Sequence, residues 1–270
     1  MSTGYQISDQ DLVSICHKYI YMKLVLKIAS IILFLSTTVF AQKIKYAVIV
    51  SANMEWKAIK KVYPAENYQK SVWGEFFFKK IKTQKVLFFH EGWGKVSAAG
   101  ATQYVIDKFK PEILLNLGTC GGFEGEVERL DIILANKTII YDIIEAMGDS
   151  KEAIADYSTE IDLNWLGDQY PTKVRKTVLV SADKDLRIEE IEKLKTEYKA
   201  IAGDWETGAM AYTANRNKTK LLILRGVSDL VSAQKGEAYG NFELFEQRAE
   251  LVMIKLLEIL PAWIGYIESL

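Results

Sequence analysis

The sequence predicts an α/β protein, a single domain built as a three-layer sandwich around a mixed central sheet. Three observations carry this. Short β-branched apolar runs, such as IKYAVIV at 44–50 and EILLNLG at 112–118, read as buried strands. They alternate with segments of helical spacing, the pattern of helices packed on both faces of a sheet. One stretch, GEFFFKKIKTQKVLFFHEG at 74–92, reads as a hairpin, so the sheet is mixed rather than purely parallel.

The elements follow in order. After the first strand, MEWKAIKKV at 54–62 places Trp56, Ile59 and Val62 on one helical face. KVSAAGATQYVIDKF at 95–109 reads as a helix with Val96, Ala99, Tyr104 and Phe109 near one face, stopped by Pro111. EILLNLG then ends at a glycine turn, GTCGG. DIILANKTIIYDII at 131–144 is strand-rich, and TVLVSAD at 177–183 is a strand. IEEIEKLKTEY is a charged amphipathic helix and GAMAYTANRN a small-residue helix. KLLILRGVSD is a strand that ends in an acid, and FELFEQRAELVMIKLLEIL is a long closing helix. Neither an internal repeat nor a low-complexity linker divides residues 42–270.

Composition narrows the chemistry. With 34 basic and 35 acidic residues the net charge is −1, which gives no general attraction to nucleic acid or to an anionic membrane. Two cysteines, Cys16 and Cys120, and two histidines, His17 and His90, are too few for a Cys/His metal cluster or a disulfide framework. Carboxylates are left as the acids and bases, with no cofactor and no metal implied. The N-terminal region is read separately. From Met22, MKLVLKIASIILFLSTTVFAQ has the layout of a secretory signal peptide: basic Lys23 and Lys27, an apolar run from Ile28 to Phe40, and a cleavage position after Ala41. Residues 1–21 read as an over-extended reading frame, 22–41 as the signal and 42–270 as the mature domain. The product is then exported, periplasmic or secreted, without stable membrane insertion after cleavage. The alternative is an uncleaved anchor, for which the apolar run is short.

Ligands of open α/β sheets collect beyond the carboxyl ends of strands. Four such ends carry unusual residues here: Glu55 after the first strand; Gly118, Gly121 and Gly122; Glu206 at a helix start; and Arg225, Ser228 and Asp229. Each has a plain structural reading. Asp204 or Asp229 can cap a helix, Glu206 suits a helix N-terminus, Glu55 can be solvated, the glycines can form a turn, and Arg225 can pair with a structural acid. Together they form a pattern.

That pattern resembles the nucleoside phosphorylase and nucleosidase superfamily, and within it the 5′-methylthioadenosine/S-adenosylhomocysteine nucleosidases. The resemblance covers residues 44 to about 260 through five segments in family order: SANMEWKAI, GWGKVSAAGAT, PEILLNLGTCGGF, GDWETGAMA and LLILRGVSDL. It implies hydrolysis of the N-glycosidic bond of a purine-type nucleoside. Asp229 is then the general acid, oriented by Ser228, and Glu55 the base that activates water, with Arg225 beside it. Glu206 holds the ribose 2′ and 3′ hydroxyls, since a carboxylate accepts two hydrogen bonds. Trp205 stands where the family has methionine and lies against the ribose or fills core. Gly94, Gly118, Gly121, Gly122 and Ser97 complete the implied binding set, with Ser97 where phosphorolytic relatives bind phosphate. Two positions depart from the family: Glu91 stands where nucleosidases commonly place serine, and Lys184 or Asp185 where adenine-specific relatives place an aromatic residue. The partner implied is a small-molecule nucleoside, in a homodimer. The alternatives are a phosphorylase and an exported nucleoside-binding protein without catalysis.

Overall fold

A computed structural model describes residues 17–25, 27 and 44–270. Residues 17–25 and 27 are helical. The apolar run from Ile28 to Phe40 and the cleavage position at Ala41 lie outside the described residues, as do residues 1–16. Among the described residues no helix is long and apolar enough to cross a membrane.

All the elements that build the site belong to the unit Lys43–Leu270. Ten strands form one mixed sheet. β1 (Tyr46–Val50) lies between β4 (Gln84–His90) and β5 (Ile113–Phe123), parallel to both. β3 (Glu75–Ile81) pairs antiparallel with β4, as the hairpin reading predicts, and the short β2 (Gln69–Lys70) closes that edge. On the other side the sheet curls onto itself. β5 pairs with β10 (Lys220–Val231), β10 with β6 (Ile132–Ile140), β6 with β8 (Arg175–Ser181), β8 with β9 (Ala200–Asp204), and β9 returns to β5. The short β7 (Thr159–Glu160) attaches to β6.

Helices cover both faces. α1 (Asn53–Val62) and the closing α6 (Phe242–Glu268) bury Trp56, Ile59, Leu256 and Trp263 against Val48, Val50, Leu115 and Leu222. α2 (Gly94–Phe109) and α5 (Thr207–Arg216) bury Ala101, Val105, Met210 and Ala211 against Ala47, Ile49, Leu114 and Ile223. Alternate residues of β1 thus enter opposite cores, which is why that strand is apolar throughout rather than alternating. Two further helices, α3 (Ser150–Asp156) and α4 (Ile191–Tyr198), lie between strands.

Several elements differ from expectation. GTCGG is not a turn, because β5 runs on through it to Phe123. Its backbone is paired on both sides, to β10 from Gly118 onward and to β9 at Gly121 and Gly122. Asp229 likewise lies inside β10, not at its end, and caps no helix. On α2 the buried face is Ala98, Ala101, Thr102, Val105 and Phe109, whereas Val96 is 79% exposed. Small residues face α5 there, so the helices pack closely and the larger Val96 is turned outward. Val62 is similarly exposed at the end of α1. The strand β9 and the short elements β2, β7 and α3 carry too little periodicity to be read from sequence.

Candidate active site

The carboxyl ends of β1, β4, β5, β9 and β10 open onto a cavity of about 790 Å³, within the range typical of small-molecule sites. Glu55, Gly121, Trp205, Glu206, Arg225, Ser228 and Asp229 line it. Its outer wall adds Trp93, Tyr239, Phe242 and Phe245.

Arg225 is the hub. Only 1% exposed, it lies 3.2 Å from Asp204 Oδ2, 3.6 Å from Glu206 Oε2 and 3.8 Å from Glu55 Oε1. It also donates from Nε to Asn116 Oδ1 at 2.8 Å and from Nη1 to the Thr119 carbonyl at 3.2 Å. Its slot exists because Gly118 stands opposite it on β5; a Cβ at Gly118 would come within 2.2 Å of Nη1. The surrounding carboxylates hold the guanidinium firmly protonated against its burial.

Glu55 sits in the first turn of α1 and is 1% exposed. Its Oε2 accepts the Ala52 N–H at 3.0 Å, and its Oε1 accepts both the N–H and hydroxyl of Thr119, at 2.6 and 2.8 Å. One carboxylate thus ties α1 to β5 and is locked in place. Asp204, ending β9, accepts from Ser181, from the Thr207 hydroxyl and from the Thr207 N–H. It therefore caps the start of α5 while facing Arg225.

Glu206 follows at the N-cap of α5, and its Oε1 accepts the Gly94 N–H at 3.1 Å. Gly94 has φ +80, and a Cβ there would lie 2.8 Å from Asp183 Oδ1, so the turn that aims this N–H needs glycine. Burial pushes the Glu206 carboxyl up to about 8, opposed by Arg225 and reinforced by Asp204 and Glu55. Trp205 is 36% exposed at the rim, so it is not core.

Further along β10, its pairing with β5 slips between Val227 and Asp229, a bulge of the kind that re-aims a side chain. The Ser228 hydroxyl donates to Asp229 Oδ1 at 2.6 Å and lies 3.3 Å from the Cys120 carbonyl. Burial raises the Asp229 carboxyl above its ordinary range, against the Ser228 hydrogen bond and the charge of Arg248.

The remaining sequence candidates stand behind this wall. Gly94 and Gly118 shape the slots of Glu206 and Arg225, and Gly122 packs against Val127 and Val227. Ser97 lies in α2 beside Gly92 and is not part of the cavity lining. Lys184 and Asp185 do line the cavity, but the Lys184 ammonium is held by Glu190 at 2.7 Å. Sequence reasoning gave no role to Asn116, Thr119 or Ser51. A polar residue inside the apolar run LLNLG was the available signal for Asn116. No His/Cys/Asp/Glu group among the described residues could hold a metal ion, and Cys120 is a free, buried thiol.

Glu91 is the least expected of the buried acids. It is 1% exposed, its Oε1 accepts the Ser51 hydroxyl at 2.6 Å, and its Oε2 has no hydrogen-bond partner among the described residues. Burial raises its carboxyl well above the ordinary value of 4.5, so the folded protein takes up a proton there. A raised value means stability that is complete below about pH 4.5 and is lost as pH rises through the folded-state value. Glu91→Gln is neutral at every pH and escapes that loss. Its melting temperature should match wild type near pH 4.5 and exceed it at pH 8, as read by calorimetry at both. A variant less stable than wild type at pH 8 would show that Glu91 is needed as a carboxylate.

Residues 45–260 match the family model described as the phosphorylase superfamily. The chain belongs to the phosphorylase superfamily. A superfamily relative, the 5′-methylthioadenosine/S-adenosylhomocysteine nucleosidase of Buchnera aphidicola subsp. Acyrthosiphon pisum (strain Tuc7), is 30% identical over 210 residues, covering 74% of this chain and 89% of the relative. The enzyme of the same name from Staphylococcus epidermidis is 26% identical over 69% of this chain and 85% of its own length. Among solved structures, the MTA/SAH nucleosidase of Streptococcus pneumoniae in complex with 8-aminoadenine superposes with TM-score 0.69 at 18% identity, covering 82% of this chain and 99% of that one. The superfamily fold is therefore shared.

Proposed function

We propose that this cavity binds a purine nucleoside and cleaves its N-glycosidic bond with water. The observation that carries the reading is one cavity lined both by Asp229, driven toward its protonated form, and by the cluster of Glu55, Glu206 and Arg225. The protein is a hydrolase of the nucleosidase kind, as its relatives' names state for them. Glu206 takes the ribose hydroxyls, and Asp229 faces the base. As the bond from C1′ to the base breaks, its electron pair stays on the base, and Asp229 supplies the proton that neutralises it. Water attacks C1′, which carries oxocarbenium character, and gives its proton to Glu55. The products are free base and free ribose moiety. An acid and a base on separate sides of the leaving bond repeat the logic of inverting glycosidases, each worth about 10²–10⁴-fold.

Water is favoured over phosphate by charge. Among the described residues lining the cavity the cations are Arg225 and Lys184, and both are engaged by carboxylates. A phosphate anion would meet the Glu55 and Asp204 carboxylates with no cation left to receive it. A panel of purine ribosides and 5′-alkylthio ribosides, assayed with and without inorganic phosphate, tests this. Base release at an equal rate in both, with a free reducing sugar, is the expected result. A strict phosphate requirement, or tight binding with no base released from any nucleoside, would overturn it.

A further inference from the structure

The bulge that presents Asp229 is held from behind by residues that do not line the cavity. Glu237 binds both peptide groups of Leu230, the residue directly after Asp229. Its N–H donates to the Leu230 carbonyl at 3.0 Å, and its Oε2 accepts the Leu230 N–H at 3.0 Å. The same oxygen accepts from Arg248 Nη1, in α6, at 2.9 Å. Its Oε1 lies 3.8 Å from Arg129 Nη1. The Glu237 and Arg248 side chains are 22% and 18% exposed, so the pair is largely shielded from solvent. The segment 232–241 that carries Glu237 is tied again at Tyr239, whose hydroxyl donates to the Leu186 carbonyl.

We infer that Glu237 is a positioning residue for Asp229: it pins the β10 bulge that aims the acid into the cavity and neutralises the Arg248 cation with which it is paired. The inference rests on the reading of Asp229 as the general acid. The groups that face Asp229 are Ser228 on its own strand, Arg248 from α6, Glu237 and Tyr239 from segment 232–241, Asp185 from the loop after β8, and Cys120 on β5. Burial, Glu237 and Asp185 favour the protonated acid, while Ser228 and Arg248 favour the carboxylate. Glu237 thus performs two tasks with one side chain: it fixes the backbone and offsets the cation that would ionise Asp229.

The two partners therefore have opposite effects. Glu237→Gln keeps an oxygen to accept the Leu230 N–H but removes the negative charge. Arg248 then meets less opposition, Asp229 loses its proton more easily, and the alkaline limb of the kcat profile moves to lower pH. Arg248→Met removes the cation, and the limb moves to higher pH. Each displacement should be about 0.5–1 pH unit. A ¹³C titration of the Asp229 carboxyl, assigned by its loss in Asp229→Asn, reads the same displacements without substrate. Opposite displacements in the two variants support the inference. Displacements in the same direction, or lower kcat with both limbs unmoved, overturn it and leave Glu237 a structural tie. If Asp229→Asn retains full turnover, the acid reading itself fails, and the ¹³C titration still reports on the charge balance.

Discussion

Asp229→Asn is expected to bind nucleoside nearly as well as wild type while turnover falls by roughly 10²-fold or more. Asparagine preserves the shape and can still donate a hydrogen bond to the base, but it delivers no proton, so the base must leave as an anion. Binding and chemistry therefore separate. A nitrophenyl riboside, whose leaving group needs no proton, should recover much of the loss. Little stability should be lost, because Asp229 lies within β10 and its only hydrogen-bonded side-chain neighbour among the described residues is Ser228. Turnover, affinity and melting temperature measured on one sample decide the matter. Normal turnover would remove Asp229 from the chemistry.

Arg225→Met should produce the largest loss of stability. The substitution leaves Asp204, Glu206 and Glu55 buried around a slot without its cation. Breaking a buried ion pair by deleting one partner costs about 3–5 kcal/mol. In a domain of this size that is a fall in melting temperature on the order of 10 °C. The loss has a pH signature. Without Arg225 the Glu206 carboxyl, which burial already pushes up to about 8, is raised further. Its contribution is then intact at low pH and is lost as pH rises through the raised folded value. The variant should approach wild-type stability near pH 4–5 and fall furthest behind above pH 7, roughly as the carboxylate range dictates. An equal deficit at every pH would assign the loss to packing, and no deficit would deny Arg225 its place as the hub. Lysine is no substitute, since the guanidinium reaches Asn116 and Asp204 from Nε and the Thr119 carbonyl from Nη1, two separate nitrogens of one planar group.

Most strands and helices were legible because their signals are local. YAVIV at 46–50 is apolar at every position since both faces of β1 are covered, and the hairpin β3–β4 follows from two apolar runs joined by a short polar turn. The site residues Glu55, Glu206, Arg225, Ser228 and Asp229 were legible as motifs, and they do line one cavity, although Arg225, Ser228 and Asp229 lie within β10 and not beyond its end. The glycines were misread because Gly-Gly signals a turn only where the backbone is free. At Gly121 and Gly122 two neighbouring strands claim it, and neither β9 nor β10 is near β5 in sequence.

By itself the sequence determined the alternation of buried strands and amphipathic helices, the scarcity of metal-binding side chains, and the small set of acids available for chemistry. Only the tertiary structure decided the closing of β5, β10, β6, β8 and β9 into a ring, the slot that Gly118 leaves for Arg225, and the burial of Glu91. It also decided which acids hold protons. Periodicity and turn chemistry act within a few residues, so they can be read along the chain. The state of a buried carboxyl depends on desolvation and on the charges beside it, and those neighbours come from far away in sequence: Arg225 meets Asn116 across 109 residues, and Glu206 meets Gly94 across 112.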